Sequence, residues 1–167
     1  MFRASERNAN FLYRMKPDGT GREQLLPNPI IEITAISPDG AFVLAGTAVA
    51  DEDMPVGLVA FQLHGGTAQR ICNACYGRWT PDRSYLMLEW FGGGAMDAGG
   101  KTFVIPLRGG RMLPPLPPNG IKSRSDLDSI SGLRVINQPS AVAWTDLATY
   151  AFTRTSVHRN LYRIPLP

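Results

Sequence analysis

The only two cysteines of this chain stand three positions apart, as Cys72-Asn73-Ala74-Cys75. That spacing admits three chemistries. Two thiolates make half of a tetrahedral zinc site; two more ligands would be needed, and His64 and His158 are the only histidines. A thioredoxin-like redox pair belongs on a βαβ unit, and no such pattern surrounds these residues. In an oxidising compartment the pair closes a small local disulfide that pins a loop; in a reducing one it stays as two semi-buried thiols. The expectation is a disulfide or inert thiols at Cys72 and Cys75, with no metal and no cofactor.

Other candidate motifs fall short on detail. Gly92 to Gly100 is glycine-rich and runs into Lys101-Thr102. A phosphate-binding Gly-x4-Gly-Lys would need glycine at position 95, where Ala95 stands, and a helix to follow. Phe103-Val104-Ile105 reads instead as a strand, so the loop is expected to be a hairpin tip. Asp51-Glu52-Asp53 lacks the spaced ligands and glycine of a dedicated calcium loop. No Gly-x-Ser-x-Gly elbow, kinase glycine loop or His-Arg-Asp element occurs, and neither histidine has a recognisable nucleophile partner. The chain is therefore expected not to be an enzyme. Four aromatics, Tyr76, Trp79, Trp90 and Phe91, cluster around one turn. They suit either a partner-binding surface or packing between neighbouring sheets.

The elements that must position these residues follow a repeating pattern. Leu12 to Met15 enters a Lys16-Pro17-Asp18-Gly19 turn. Ile36-Ser37-Pro38-Asp39-Gly40 leads into Phe42 to Ala45, and Trp79-Thr80-Pro81-Asp82 leads into Tyr85 to Leu88. Leu58 to Leu63 precedes Gly65-Gly66, as Phe103 to Leu107 precedes Gly109-Gly110. Proline presets the turn and Asp bonds the backbone two residues on. Gly40 supplies a positive φ cheaply; Arg83 replaces it in the later copy, so that turn is expected to differ. A period of about 45 residues with four short strands is the mark of β-propeller blades. The predicted fold is all-β, a partial propeller of three to four antiparallel blades spanning 1–26, 33–72, 75–113 and 140–167. The first unit lacks its inner strand and the last its outer strand. The proline-rich run Leu113 to Gly120 reads as a strap between blades. Within 114–139 a short helix is expected near 125–131, capped by Ser123 or Ser125, with Leu127 and Ile130 facing the sheet.

Bulk properties restrict the function class. Apolar residues make up 44% of the chain and charged ones 19%, ordinary for a globular protein. The net charge of +3 comes from scattered residues, fourteen arginines against three lysines, so no nucleic-acid footprint is expected. No apolar run is long enough for a membrane helix, so this segment is not expected to contact a membrane. Met1 to Arg7 has no apolar core of a signal peptide. Read as complete, the chain is expected in the cytoplasm; read as part of a larger exported or membrane-anchored protein, outside it.

The Leu12 to Gly21 and Ser37 to Gly40 elements resemble the WD-like propeller repeats of TolB and its relatives. Cys72 to Cys75 with Arg78 to Asp82, Leu116 to Ile121, Tyr150 to Arg154 and Asn160 to Pro167 resemble the C-terminal propellers of bacterial eukaryotic-like serine/threonine kinases. The resemblance implies a non-catalytic sensor or scaffold module that binds a protein or small ligand on one propeller face, completed by the remaining blades of its parent chain. Two alternatives are the propeller segment of a prolyl-peptidase-type hydrolase and a standalone TolB-like envelope protein. A further possibility is that two copies close one ring.

Overall fold

The computed structural model describes residues 1–49, 56–91, 100–143 and 147–153. It is all-β with one short helix, built as four antiparallel sheets met in chain order. The first sheet has three strands, β1 (Phe2–Glu6), β2 (Ala9–Arg14) and β3 (Glu23–Gln24). The second has four, β4 (Glu32–Ile36), β5 (Phe42–Ala48), β6 (Val56–Gln62) and β7 (Gln69–Asn73), each paired with the one before. The third contains β8 (Cys75–Trp79), β9 (Tyr85–Trp90), β10 (Thr102–Pro106) and β11 (Arg134–Ile136). In the fourth, β12 (Val142–Ala143) pairs with β13 (Tyr150–Ala151).

Side chains alternate across each strand, and both faces of the central sheets are used. On β5, Leu44 points toward the third sheet, while Val43 and Ala45 join Leu12 of the first. On β9, Leu86, Leu88 and Trp90 meet the second sheet, and Met87 joins Ala141 and Ala143 at the fourth. On β10, Phe103 and Ile105 follow the first of these directions and Val104 the second. Each sheet thus lies face to face on the next. The opening strands also adjoin, β1 against β4 and β4 against β8. No comparably close approach links β3, β7 and β11 among the described residues.

The Pro-Asp turns share one geometry. Asp39 accepts hydrogen bonds from Ser37 Oγ (2.6 Å) and the Ala41 amide (3.0 Å), and Gly40 takes φ 72°. Asp82 accepts from Ser84 Oγ (2.6 Å) and the Ser84 amide (3.1 Å), and Arg83 takes φ 64°. The expectation that Arg83 changes the turn is corrected. The Asx bonds and the Thr80–Arg83 backbone bond hold a non-glycine residue in the left-handed region.

The third unit also differs from its predicted bounds. Its outer strand is β11, not a segment before Leu113. Residues 107–133 leave the sheet as the strap and helix and return to pair with β10. The strap is anchored where Trp79 Nε1 donates to the Met112 carbonyl (2.7 Å) and where the Ile121 amide donates to the Ile71 carbonyl (2.8 Å). Ile121 forms a parallel bridge with Cys72, so the strap covers the outer edge of β7. Gly120 makes this approach possible: at φ 72°, a Cβ there would stand 2.9 Å from the Ile71 carbonyl oxygen. The helix α1 (Arg124–Asp128) starts at Ser123 with a capping box to Asp126, and Leu127 is fully buried. Ile130 packs partly buried against the same core. Gly92 to Gly99, Asp51 to Asp53, Trp144, His158 and the expected strand Leu161 to Ile164 lie outside the described residues.

Candidate functional site

Cys72 is the last residue but one of β7 and Cys75 begins β8, so the pair sits where the chain passes from the second sheet to the third. The structure joins them in a disulfide with Cα atoms 6.1 Å apart, a separation suited to such a bond, and both residues are buried. Ala74 between them takes φ 50° and bonds both sheets, its amide to Val56 and its carbonyl to the Phe91 amide. This is a clamp at a sheet-to-sheet step. No group of three His, Cys, Asp or Glu that could hold a metal occurs among the described residues.

The four aromatics divide. Trp79 and Trp90 are buried, one bonded to the strap and the other edge-on to Phe103 at 5.4 Å. They belong to the core between the second and third sheets, not to a binding surface, because their strand positions point them at the second sheet. Tyr76 and Phe91 lie on the opposite face of the third sheet. Their rings are 4.7 Å apart, and Tyr76 is 43% exposed.

Tyr76 lines a cleft of about 270 Å³ along the free edge of β8, with Glu32, Thr34, Arg78, Glu89 and Ser140 among its walls. Glu89 holds the polar network: Ser140 Oγ donates to both carboxylate oxygens (2.9 and 3.1 Å), and Arg78 lies 3.7 Å away. Ser140 is placed by buried Thr102, whose hydroxyl donates to the Gln138 carbonyl and accepts from the Ala141 amide. Ser140 itself sits at φ 51°, a strained conformation of the kind that clusters at working sites. Glu32 and the Tyr76 hydroxyl have no hydrogen-bond or ion-pair partner among the described residues. The cleft therefore offers one committed ion pair, one uncommitted carboxylate and an exposed aromatic face.

Two other clefts are less suited to recognition. One of about 500 Å³ lies between the strap and the second sheet. Its carboxylate, Asp39, is already engaged in its turn, which draws its pKa below the usual range, first through the Ser37 hydroxyl and then through the Ala41 amide. The other, about 670 Å³, lies between the first two sheets beside Val59 and Phe61, and its Arg3 already donates to the Ile31 carbonyl. Of the six residues named at the β8 edge, sequence reasoning singled out only Tyr76. Glu89 alone carried a local signal, a charge inside the apolar strand Tyr85 to Trp90.

His64 is exposed in the turn after β6. No helix among the described residues is long and apolar enough to cross a membrane. No family model matches the chain, and a search of curated proteins finds no match.

Proposed function

We propose that the chain forms part of a β-propeller and acts as a non-catalytic recognition module through the cleft along β8. One observation carries this reading. Sheets that follow each other in the chain are packed face to face, and the opening strands of the first three, β1, β4 and β8, adjoin in turn while β3, β7 and β11 do not. This supports a radial arrangement of blades, in which the opening strands would line a central channel. The β8 cleft then faces that channel, where a ligand or a partner loop is met by several blades at once.

The buried Cys72–Cys75 disulfide favours an oxidising compartment. This supports the reading of the chain as an extracytoplasmic sensor or scaffold segment, such as the propeller of a receptor-like kinase. Recognition is the favoured reading because the cleft combines an exposed aromatic face with fixed charges, and its Ser140–Glu89 contact is part of a network shared with Arg78.

Spin-label distances test the arrangement. Labels at Ser5→Cys and Ile36→Cys report the inner edge; Glu23→Cys with Gln69→Cys and Gln69→Cys with Arg134→Cys report the outer edge. A fan gives longer outer than inner separations. Equal separations mean a flat stack and reject the propeller reading.

A further inference from the structure

We infer that the β8 cleft binds a positively charged organic group, a guanidinium or ammonium carried by a peptide or a small molecule. This rests on the proposed role of the cleft in recognition. Three features support the choice of charge. Glu32 presents a carboxylate with no partner among the described residues, and its side chain lies across Gly46, whose lack of a Cβ gives it room. Glu89 and Arg78 compensate each other, so Glu32 leaves the cleft with a net negative charge. Tyr76 offers an exposed ring supported by Phe91, and aromatic faces attract cations.

An anion would meet Glu32 unopposed and would have to break the Arg78–Glu89 pair. A purely apolar ligand would bury the Glu32 charge without compensation. A cation satisfies the carboxylate and the ring together. Ser140, fixed on Glu89, keeps that second carboxylate aligned with Arg78 and out of competition for the ligand.

The test is a nitrogen-15 NMR titration of the full chain with blocked single residues: N-acetyl-arginine methylamide, its glutamine counterpart and its glutamate counterpart. The arginine probe is expected to shift the amides of Glu32, Tyr76 and Phe91 with a Kd of the order of millimolar. Glu32→Gln should weaken it about threefold to fivefold, as should added salt. Tyr76→Leu should weaken it by a similar factor, about threefold to fivefold, while Tyr76→Phe retains binding. Glu23→Gln, remote on β3, should change nothing. A blocked pentapeptide with central arginine separates the two sources: tighter binding than the single residue points to a protein partner, equal binding to a small molecule. If the neutral or acidic probe moves the same amides as strongly, the cleft binds ligands but the cationic inference is wrong. If no probe moves them, the recognition role of the cleft is wrong as well. Each variant's own spectrum checks its fold.

Discussion

Replacing Gly77 on β8 with alanine should destabilise the protein by about 1–2 kcal/mol through overpacking alone. The residue is buried with an ordinary backbone conformation, so strain in φ plays no part. A Cβ at this position would stand 2.8 Å from Leu58 Cδ2, 2.9 Å from Leu44 Cδ1 and 3.2 Å from Leu88 Cδ2. Carbon atoms rest at about 3.5 Å or more, so two methyl groups must retreat by roughly 0.6–0.7 Å. All three leucines are essentially inaccessible to solvent and have no open space to enter. Inserted methyl groups in such cores cost about 1–3 kcal/mol, and the lost flexibility of glycine in the unfolded chain returns about 0.4–1 kcal/mol. Gly77→Val should cost about 3 kcal/mol, at the upper end of overpacking. Urea unfolding followed by tryptophan fluorescence reads the loss, since Trp79 and Trp90 lie in the same core. Leu58→Val removes reach toward Gly77, so the double variant should be more stable than the sum of the single losses by about 1 kcal/mol. A Gly77→Ala variant within about 0.3 kcal/mol of the parent, or strict additivity with Leu58→Val, would refute the close packing of the second sheet on the third.

Arg83 occupies a left-handed conformation that glycine takes without penalty, so Arg83→Gly should stabilise by about 0.5–1 kcal/mol in the same assay. Trp79→Phe keeps an aromatic side chain, though a smaller one, and removes the donor to Met112; it should cost about 1–2 kcal/mol while increasing proteolytic cleavage in the strap. Asp18, Asp39 and Asp126 all have pKa values drawn below the ordinary aspartate range; for Asp18 and Asp126 the first cause is a backbone amide bond, for Asp39 the Ser37 hydroxyl. Folded values below unfolded ones give stability that is present above about pH 4 and lost as pH falls through the folded values, so the thermal midpoint should drop on acidification from pH 4. Asp39→Asn and Asp126→Asn together should flatten that acid limb. Intact-mass measurement after iodoacetamide should find no modification in the native or the denatured chain until reductant is added, and then two adducts, at Cys72 and Cys75.

Much of the architecture was legible because period-2 alternation and turn chemistry are local. Phe42 to Ala45 and Tyr85 to Leu88 read as nearly continuous apolar runs, and a strand buried on both faces needs that pattern. The turn signals around Asp39 and Asp82 fixed where strands begin. What failed was non-local. β11 is only Arg134-Val135-Ile136, of which Ile136 alone is buried, and it pairs with β10 after a long excursion. Met112 and Leu113, being apolar and nearer, looked like the missing strand, yet Met112 belongs to the strap under Trp79. The cleft was harder still. Glu32 stands on β4, Tyr76 and Arg78 on β8, Glu89 on β9 and Ser140 just before β12, and no spacing links these four segments. The packing of β4 beside β8, the pairing of β8 with β9 and the bond from Ser140 to Glu89 bring them to one place.

The excursion between β10 and β11 also explains why the free surface lies where it does. An outer strand exposes unpaired amides and carbonyls that invite wrong partners. Here one segment attends to two such edges. The strap bridges Cys72 through Ile121 along β7, and the returning chain supplies β11 to cover β10. Leu113, Leu116, Ile121, Leu127, Ile130 and Leu133 meanwhile fill the core between the second and third sheets. The opposite edge of the third sheet, β8, has no paired strand among the described residues. Along it stand Tyr76 and Arg78, with Glu32 of β4 opposite. A charged residue such as Arg78 discourages strand pairing there, which keeps the edge open without making it sticky. The same charges that guard the edge also define what it can hold. On the proposed recognition role, an edge kept from β-pairing by an internally balanced Arg78–Glu89 pair, with one carboxylate left over, would select its ligand by side-chain charge rather than by backbone complementarity.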